Sequence, residues 1–414
     1  MDASQGEPGG DQPEEKLSED GPQYGQRLIP TVIDVMSVND PDKVFALIPR
    51  TMRTKDGFRH VTYADLAEAI NTAAHWLSGI VKEERGRYLA YLGPSDLRYA
   101  ILAVAAIKAG WIMFFPSPRN SLEAHLHLLD AIDCGFFLWA ENKSQTVLNI
   151  MNKRPMGDFM VPGLNTWLDD PIDSSFSYDK TFEEVKKDIF VVLHTSGSTG
   201  LPKPIGVTHG SLAVADALGG PPQSESRPNI FQKMKASGCV FNGFPLFHVA
   251  GLNWTLVFSV YCGIVSVMAP SNRPLTADLA DEMHQLQHVH STCLPPSVIE
   301  DLVKMPEYLR RLTDLNSIAY GGAPLAKAVG NIVASGHAAL YGILGSTETP
   351  HFEQYAMEKD DWEYVQFGPR SGVEFRRHAN SNYEMVIVRD KDLELFQGAF
   401  YNFPGVKEYP MKDL

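Results

Sequence analysis

Residues 191–209 read VVLHTSGSTGLPKPIGVTH, and this stretch decides how the rest of the chain is interpreted. It overlaps an apolar run, residues 189–193, which predicts a buried strand. Glycines let backbone N–H groups approach an anion, hydroxyl groups add donors, and a lysine adds positive charge. The stretch therefore predicts a loop that holds phosphate, built from Thr195, Ser196, Gly197, Ser198, Thr199, Gly200 and Lys203.

Other interpretations of this loop fit less well. A flexible Ser/Gly linker would not lie between two apolar runs or end in Pro-Lys-Pro. The P-loop of nucleoside triphosphatases requires G-x-x-x-x-G-K-S/T, but Leu201 follows Gly200 here. A serine hydrolase requires G-x-S-x-G, and Ser196 lacks the glycine two residues before it.

Composition narrows the class of protein. A chain of 414 residues predicts two or three packed subdomains. The net charge of −14 argues against nucleic acid and anionic membrane as partners. Four widely spaced cysteines and a polar, acidic N-terminus without a signal peptide predict a cytoplasmic protein. The longest apolar run, residues 254–270, predicts a buried helix leading into a strand rather than a membrane span.

The order of elements predicts an α/β fold. Residues 1–26 are polar and acidic and predict a disordered tail. Strands and helices then alternate, which predicts stacked βαβ subdomains with mostly parallel sheets at about 27–185 and 186–345. From about 346 to 414, short segments at 365–367, 373–376, 383–388 and 393–396 predict an antiparallel, β-barrel-like subdomain.

The loop resembles the signature T-S-G-S/T-T-G-x-P-K-G of the adenylate-forming superfamily, which includes acyl-CoA synthetases, adenylation domains of non-ribosomal peptide synthetases and luciferases. The chain matches it except at the last glycine, where Pro204 stands. Further segments resemble the landmarks of the superfamily in the same order. They are 62–66 (TYADL), 93–110 (GPSDLRYAILAVAAIKAG), 244–251 (FPLFHVAG), 320–325 (YGGAPL), 345–348 (GSTE) and 409–414 (YPMKDL).

Two short motifs, Pro118-Arg119-Asn120-Ser121 and Lys203-Pro204-Ile205, are most similar to fungal adenylate-forming reductases. That resemblance implies a carrier (thiolation) domain as partner, with phosphopantetheine and NADPH used only by domains outside this chain. Because the sequence ends at Leu414, we expect only the large adenylation subdomain, without the small C-terminal subdomain and its lysine. An acyl-CoA synthetase-like ligase, or a truncated nucleotide- and acid-binding module with little turnover, stays open.

The resemblance also implies roles for single residues, with ATP and Mg²⁺ as cofactors. Thr347, Glu348 and Lys203 would be catalytic, with Glu348 holding Mg²⁺ and Thr347 donating to the α-phosphate. Leu344 stands where the family has an adenine-stacking tyrosine, and Met411 and Lys412 depart from the motif before the ribose-binding aspartate. Besides the phosphate loop, the nucleotide-binding residues would be Gly322, Ala323, Pro324, Leu344 and Asp413.

The acid-binding site is predicted near residues 247–253, where a histidine or aromatic residue of the family gates the pocket. No acidic residue lies in this segment to pair with an amino group, which favours an uncharged aryl or alkyl acid. We hypothesise an aromatic carboxylic acid, bound by His248, Val249, Ala250, Asn253 and Gly345. The spacing of His284, His288 and His290 is better explained by a helix end that runs into a strand than by a metal site.

Overall fold

Two largely parallel sheets organise the chain. The computed structural model describes residues 23–81, 87–195, 200–221, 227–236, 238–378 and 382–411. Five residues with predicted roles, Ser196, Gly197, Ser198, Thr199 and Asp413, lie outside these ranges.

The strands alternate with helices along most of the described chain. The strands are β1 Val44–Pro49, β2 Phe58–Thr62, β3 Tyr88–Leu92, β4 Ile112–Phe114, β5 Phe136–Ala140, β6 Gly157–Val161, β7 Ile189–Thr195, β8 Lys203–Thr208, β9 Cys239–Asn242, β10 Val265–Val267, β11 Ser291–Leu294, β12 Ser317–Gly321, β13 Ala339–Ile343, β14 Gln354–Tyr355, β15 Gln366–Phe367, β16 Val373–Arg377, β17 Tyr383–Val388 and β18 Glu408–Pro410.

The helices lie mainly between parallel strands. The α-helices are α1 Ile29–Asn39, α2 Tyr63–Ile80, α3 Arg98–Lys108, α4 Leu122–Ala131, α5 Gln145–Lys153, α6 Leu164–Asp169, α7 Phe182–Val185, α8 His209–Gly219, α9 Ile230–Ala236, α10 Val249–Leu252, α11 Phe258–Cys262, α12 Ala277–His284, α13 Pro296–Val303, α14 Pro306–Thr313, α15 Lys327–Ala334 and α16 Ala399–Asn402. A π-helical turn, Asn253–Val257, joins α10 to α11, and 3₁₀ turns cover Thr54–Asp56, Lys359–Asp361, Pro369–Ser371 and Lys391–Phe396.

The first sheet has the order β6-β5-β3-β4-β7-β8, and the second has the order β13-β12-β11-β9-β10-β1-β2. Neighbouring strands run parallel except at two pairs, β7 with β8 and β1 with β2. The α/β class with mostly parallel sheets is therefore confirmed. Most central strands are buried on both faces, as expected when helices cover both sides of a parallel sheet.

Membership of the two sheets does not follow the predicted division near residue 185. Strands β1 and β2 come early in the chain but join the second sheet through pairing of β1 with β10. Strands β7 and β8 come after residue 185 but join the first sheet through pairing of β4 with β7. The chain thus crosses between the sheets, and periodicity reports only whether a strand is buried, not which strand it pairs with.

The C-terminal part forms small antiparallel sheets, β14-β15 and β16-β17-β18, without closing into a barrel in its described residues. The predicted strand at 393–396 is wrong, because this segment belongs to the 3₁₀ turn Lys391–Phe396. Asp390 caps that turn by accepting from the backbone N–H of Asp392, a local bond that competes with strand pairing.

The N-terminal end of the described chain is already packed at residues predicted to be in the tail. The backbone N–H of Gly25 donates to the Asp216 carboxylate at 2.6 Å, and the Arg27 guanidinium donates to the same group. Asp216 lies in α8 and is fully buried. The fold therefore begins before residue 27. Within the described ranges, no helix is both long enough and apolar enough to cross a membrane.

Candidate active site

The predicted nucleotide-binding turns leave two neighbouring strands of the second sheet. Strands β12 and β13 are parallel, and Gly321 at the end of β12 pairs with Ile343 at the end of β13. Residues 322–324 and 344–348 therefore emerge side by side at the carboxyl edge, where open α/β sheets bind ligands. Gly322 has φ of +80°, which a residue with a side chain rarely adopts, so the exposed turn at 322–324 requires glycine there.

The loop after β13 is fixed by hydrogen bonds that the sequence did not predict. The buried side-chain amide of Gln354 donates to the carbonyl oxygen of Leu344 at 2.6 Å and accepts from its N–H at 3.0 Å. The Ser346 hydroxyl lies 2.9 Å from that of Thr349 and also accepts from the Thr349 N–H. These bonds hold the backbone on both sides of the buried residue Thr347.

Glu348 is held by its main chain and not by its carboxylate. Its carbonyl oxygen accepts from Asn402 Nδ2 at 2.9 Å, while Asn402 Oδ1 accepts from the N–H and hydroxyl of Thr208, both at 2.9 Å. No described residue forms a hydrogen bond or ion pair with the Glu348 carboxylate. Burial, and then the nearby charge of Glu348, raises the pKa of Tyr409 to about 12.

This half-buried carboxylate fits the residue type and the freedom that a Mg²⁺ site requires. Mg²⁺ prefers one or two protein carboxylates together with substrate phosphates and water. Among the described residues, no group of three or more histidine, cysteine, aspartate or glutamate side chains is arranged to hold a metal by itself. His284 ends α12 and Ser291 begins β11, which confirms the helix-to-strand interpretation of the histidine trio.

The phosphate loop is carried by an antiparallel hairpin of the first sheet. Thr195 at the end of β7 pairs with Lys203 at the start of β8, and the loop lies between them. Lys203 is exposed, and Gly200 has φ of +95°. The described ends of the loop are thus held together by strand pairing, with a cationic side chain at its rim.

His194 precedes this loop and is bonded to the loop after β4. Its Nε2 atom accepts from the backbone N–H of Ser117 at 2.9 Å and lies 3.3 Å from Asn120 Nδ2. Burial, and secondarily the nearby His248, lowers the pKa of His194 to about 4. Residues 118 and 119 of the loop that His194 contacts line the same cleft as residues 244–247, which brings the phosphate hairpin beside the predicted acid-binding loop.

The predicted acid-binding loop follows β9 and is also braced by an amide. Asn242 donates to the Gly251 carbonyl oxygen at 3.0 Å and accepts from the Phe244 N–H at 2.9 Å. A Cβ atom at Gly251 would lie 2.0 Å from the carbonyl oxygen of Pro245, so this folded loop requires glycine there. Beside the loop is a cleft of about 410 Å³, lined by Tyr99, Arg119, Phe241, Phe244, Phe247 and Met268 among others.

His248 caps α10, with its Nδ1 atom 3.4 Å from the Ala250 N–H. Its ring is exposed to solvent, yet surrounding protein lowers its pKa, a combination typical of a ring in a cleft. Val249 is buried and Asn253 is 5 % exposed. The Oδ1 atom of Asn253 is buried without a partner among the described residues. Asn253 begins the π-helical turn, a feature often found at functional sites.

The structure thus sorts the predicted residues into three groups. One sheet edge carries residues 322–324, 344, 345, 347 and 348, and the hairpin carries Thr195, Gly200 and Lys203. The third group is the predicted acid-binding loop, residues 248–253. The partly buried side chain of Leu344 packs against an apolar cluster that includes Phe352 and Met385. Sequence reasoning missed the amides that position these groups, Gln354, Asn402 and Asn242, because an isolated Asn or Gln carries no motif.

Comparison with known proteins identifies the family of the chain. A carboxylic acid reductase of Neurospora crassa is 34% identical over 402 residues, which cover 95% of this chain and 38% of that protein. Adenylate-forming reductase Nps11 of Serpula lacrymans is 26% identical over 420 residues, covering 95% of this chain and 37% of that protein. The chain therefore spans somewhat more than a third of the length of these relatives.

Solved structures show the same fold at lower identity. The N-terminal domain of FACL13 from Mycobacterium tuberculosis superposes with a TM-score of 0.67 at 18% identity, covering 87% of this chain and 89% of that domain. A model of the family described as AMP-binding enzyme matches residues 38–397. With its adenylate-forming motifs in order on this fold, the chain belongs to the AMP-binding enzyme family.

Proposed function

We propose that the chain activates a carboxylic acid, most suitably an aryl acid, by converting it with ATP and Mg²⁺ into an acyl-adenylate. We further propose that this is the first step of a carrier-linked carboxylic acid reductase, in which a carrier domain accepts the acyl group. The 34% identity to a carboxylic acid reductase along nearly the whole chain supports the second part.

The observation that carries the proposal is the position of Glu348. Its main chain is fixed by Asn402, while its carboxylate makes no bond to a described residue. The loop that carries Glu348 follows the strand paired with the one that leads into the turn at 322–324. The carboxylate of a structural glutamate is expected to be paired with a protein group, as that of Glu353 is with Arg370. Glu348 is therefore suited to a ligand.

The proposed chemistry needs placement and charge compensation rather than a protein nucleophile. A carboxylate oxygen of the acid attacks the α-phosphorus of ATP, the bond from that phosphorus to the bridging oxygen breaks, and pyrophosphate leaves. Lys203 and the donors of the hairpin loop would offset the charge of the β- and γ-phosphates, with Ser196, Gly197, Ser198 and Thr199 completing that loop. Thr347 would donate to the α-phosphate, and Asp413 would accept from the ribose.

Glu348 would hold Mg²⁺, which when bound supplies positive charge to the departing polyphosphate. The turn of Gly322, Ala323 and Pro324 would contact the adenine, with Leu344 covering one face of the ring. These roles include neither thioester formation nor hydride transfer, so phosphopantetheine and NADPH would act only on separate carrier and reductase domains.

The preference for an aryl acid rests on the cleft beside the acid-binding loop. None of the residues that line it is acidic, and four are aromatic, Tyr99, Phe241, Phe244 and Phe247. An ammonium group would therefore lack a counter-charge there, whereas an aromatic ring finds apolar contacts.

Pyrophosphate exchange across a panel of acids tests this proposal. We expect exchange with benzoic, hydroxybenzoic and cinnamic acids that exceeds exchange with amino acids by at least about tenfold, the ratio expected from one unpaired buried charge. Hexanoic acid and coenzyme A are included to detect a fatty-acyl or CoA ligase. Strong exchange with amino acids and none with aryl acids would refute the substrate class while leaving the family unchanged.

A further inference from the structure

His194 has a defined tautomer, because a backbone group fixes it. The N–H of Ser117 can only donate, so the Nε2 atom that it contacts at 2.9 Å must be an acceptor. Asn120 adds a second donor to the same atom at 3.3 Å. The neutral imidazole of His194 therefore carries its proton on Nδ1.

The other ring nitrogen is left to act as a donor. No described residue is hydrogen-bonded to His194 Nδ1. Protonation of the ring would set an Nε2 proton against the Ser117 N–H, and burial already lowers the pKa of His194 to about 4. At neutral pH the residue thus offers one uncharged N–H donor from a fixed ring.

His248 presents the complementary arrangement. Its Nδ1 atom accepts from the Ala250 N–H, which places its proton on Nε2. His194 is hydrogen-bonded to Ser117 and Asn120, and the residues between them, Pro118 and Arg119, line the same cleft as Phe247, the neighbour of His248. Each ring therefore has a backbone-fixed tautomer with one remaining N–H donor, and each is held by or belongs to a loop at the cleft.

Strand geometry separates His194 from the residue that follows it. Successive side chains of a strand point to opposite faces, so His194 and Thr195 face different sides of β7. The side of His194 carries Asn120 and the loop whose residues Pro118 and Arg119 line the cleft, whereas Thr195 begins the phosphate loop. The ligand atom that accepts from His194 is thus expected on the side of the predicted acid-binding loop rather than of the phosphate loop.

We propose that His194 binds the acid substrate by donating its Nδ1–H to a carboxylate oxygen, which becomes the carbonyl oxygen of the acyl-adenylate. Ser117 and Asn120 act as positioning residues, because they orient the ring and set its tautomer through Nε2. The inference rests on the proposed function and adds to it a substrate-binding residue just outside the phosphate-loop motif.

Two substitutions separate this role from a structural one. In His194→Asn, the side-chain amide can place an N–H near the position of Nδ1 but cannot reach Ser117. In His194→Gln, the longer amide can accept from Ser117 but leaves no donor at the Nδ1 position. A binding role predicts that the Asn variant is the better enzyme, whereas a purely structural role predicts that the Gln variant is.

The measurement is pyrophosphate exchange by the full chain with the best acid of the panel, complemented by titration with the acyl-sulfamoyl-adenosine made from that acid. For His194→Gln we expect the KM for acid to rise about tenfold or more, with the KM for ATP and the affinity for AMP unchanged. For His194→Asn we expect a smaller loss, within about threefold. His127→Gln, an exposed histidine of α4, serves as the control.

Three outcomes would overturn the proposal. They are a Gln variant with wild-type KM for acid, an Asn variant that is the weaker of the two, or an equal loss for ATP and acid. If the wild-type chain exchanges pyrophosphate with no acid and binds none of the mimics, the proposed function itself fails and this inference falls with it. Wild-type exchange with unaffected variants refutes only the role of His194.

Discussion

At the scale of single residues, Glu348 and Glu353 are glutamates whose carboxylates have different hydrogen-bond partners. Glu353 is 2 % exposed and accepts from the side chain and backbone N–H of Arg370. Among the described residues, Glu348 is hydrogen-bonded through its carbonyl oxygen and not through its carboxylate. The sequence distinguished them because Glu348 follows Gly345, Ser346 and Thr347 in a known motif.

Glu348→Gln is expected to reduce Mg²⁺-dependent adenylate formation at least a hundredfold, since the amide cannot supply the charge that a hard cation requires. Thermal melting should shift by no more than about 2 °C, because the main-chain bond to Asn402 remains. Glu353→Gln is the matched control and should lose about 2 kcal/mol of stability. A large loss of stability in Glu348→Gln would show that this residue is structural.

Acid sensitivity is also predicted at the residue scale. Burial lowers the pKa of His284 to about 4, and both of its ring nitrogens lack partners among the described residues. In the unfolded chain this histidine is protonated below about pH 6.5, whereas the buried ring stays neutral. The stability that depends on the neutral ring is therefore fully present above about pH 6.5 and is lost as the pH falls towards 4. By pH 5, this effect of His284 should lower the free energy of unfolding by about 2 kcal/mol.

Melting at pH 7.5 and pH 5.0 measures this effect in the wild type and in His284→Phe, which keeps an aromatic ring beside Phe241. The groups that face His284, Asp281 and Arg311, are paired with each other and stay in both proteins. The variant should lose less stability between the two pH values, and the exposed control His127→Gln should behave as the wild type. Equal acid sensitivity in His284→Phe would contradict the assignment.

At the scale of elements, apolar periodicity and local caps indicated most helices and strands. They did not indicate which strands pair with each other. Helix α2 begins where Thr62 and Asp65 form a capping box, and strand β3 coincides with the apolar run Tyr88–Leu92. The placement of β1 in the second sheet depends on contact with β10, over two hundred residues later. No local pattern encodes a contact of that separation.

The link between β8 and the loop after β13 gives a prediction at this scale. Asn402 uses both amide atoms to connect Thr208 with Glu348, and it also donates to the Ser211 hydroxyl. Asn402→Ala should cost about 2 kcal/mol of stability and raise the Mg²⁺ concentration needed for half-maximal exchange several-fold.

Asn402→Asp refines this test, because aspartate can still accept from Thr208 but cannot donate to the Glu348 carbonyl oxygen. Its Mg²⁺ requirement should rise at least as much as in Asn402→Ala, because a carboxylate oxygen then faces the Glu348 carbonyl oxygen. An unchanged Mg²⁺ requirement in both variants would show that Asn402 does not position the glutamate.

At the scale of the whole molecule, the candidate site forms where loops from the carboxyl edges of both sheets approach each other. His194 and Ser117 come from the first sheet, and His248, residues 322–324 and residues 344–348 come from the second. The motifs supply the candidate residues of this site, because each resembles a family landmark, and their roles stay predictions. They could not predict the bracing amides or the His194 tautomer, which depend on contacts between distant segments.

The central claim is that this chain joins an acid to AMP. The most direct test is mass spectrometry of a reaction with stoichiometric protein, ATP, Mg²⁺ and each acid of the panel, in which even slow chemistry leaves a detectable product. We expect an acyl-adenylate with at least one aryl acid, dependent on Mg²⁺ and lost in Glu348→Gln. Absence of adenylate with every acid, from protein that melts cooperatively, would contradict it.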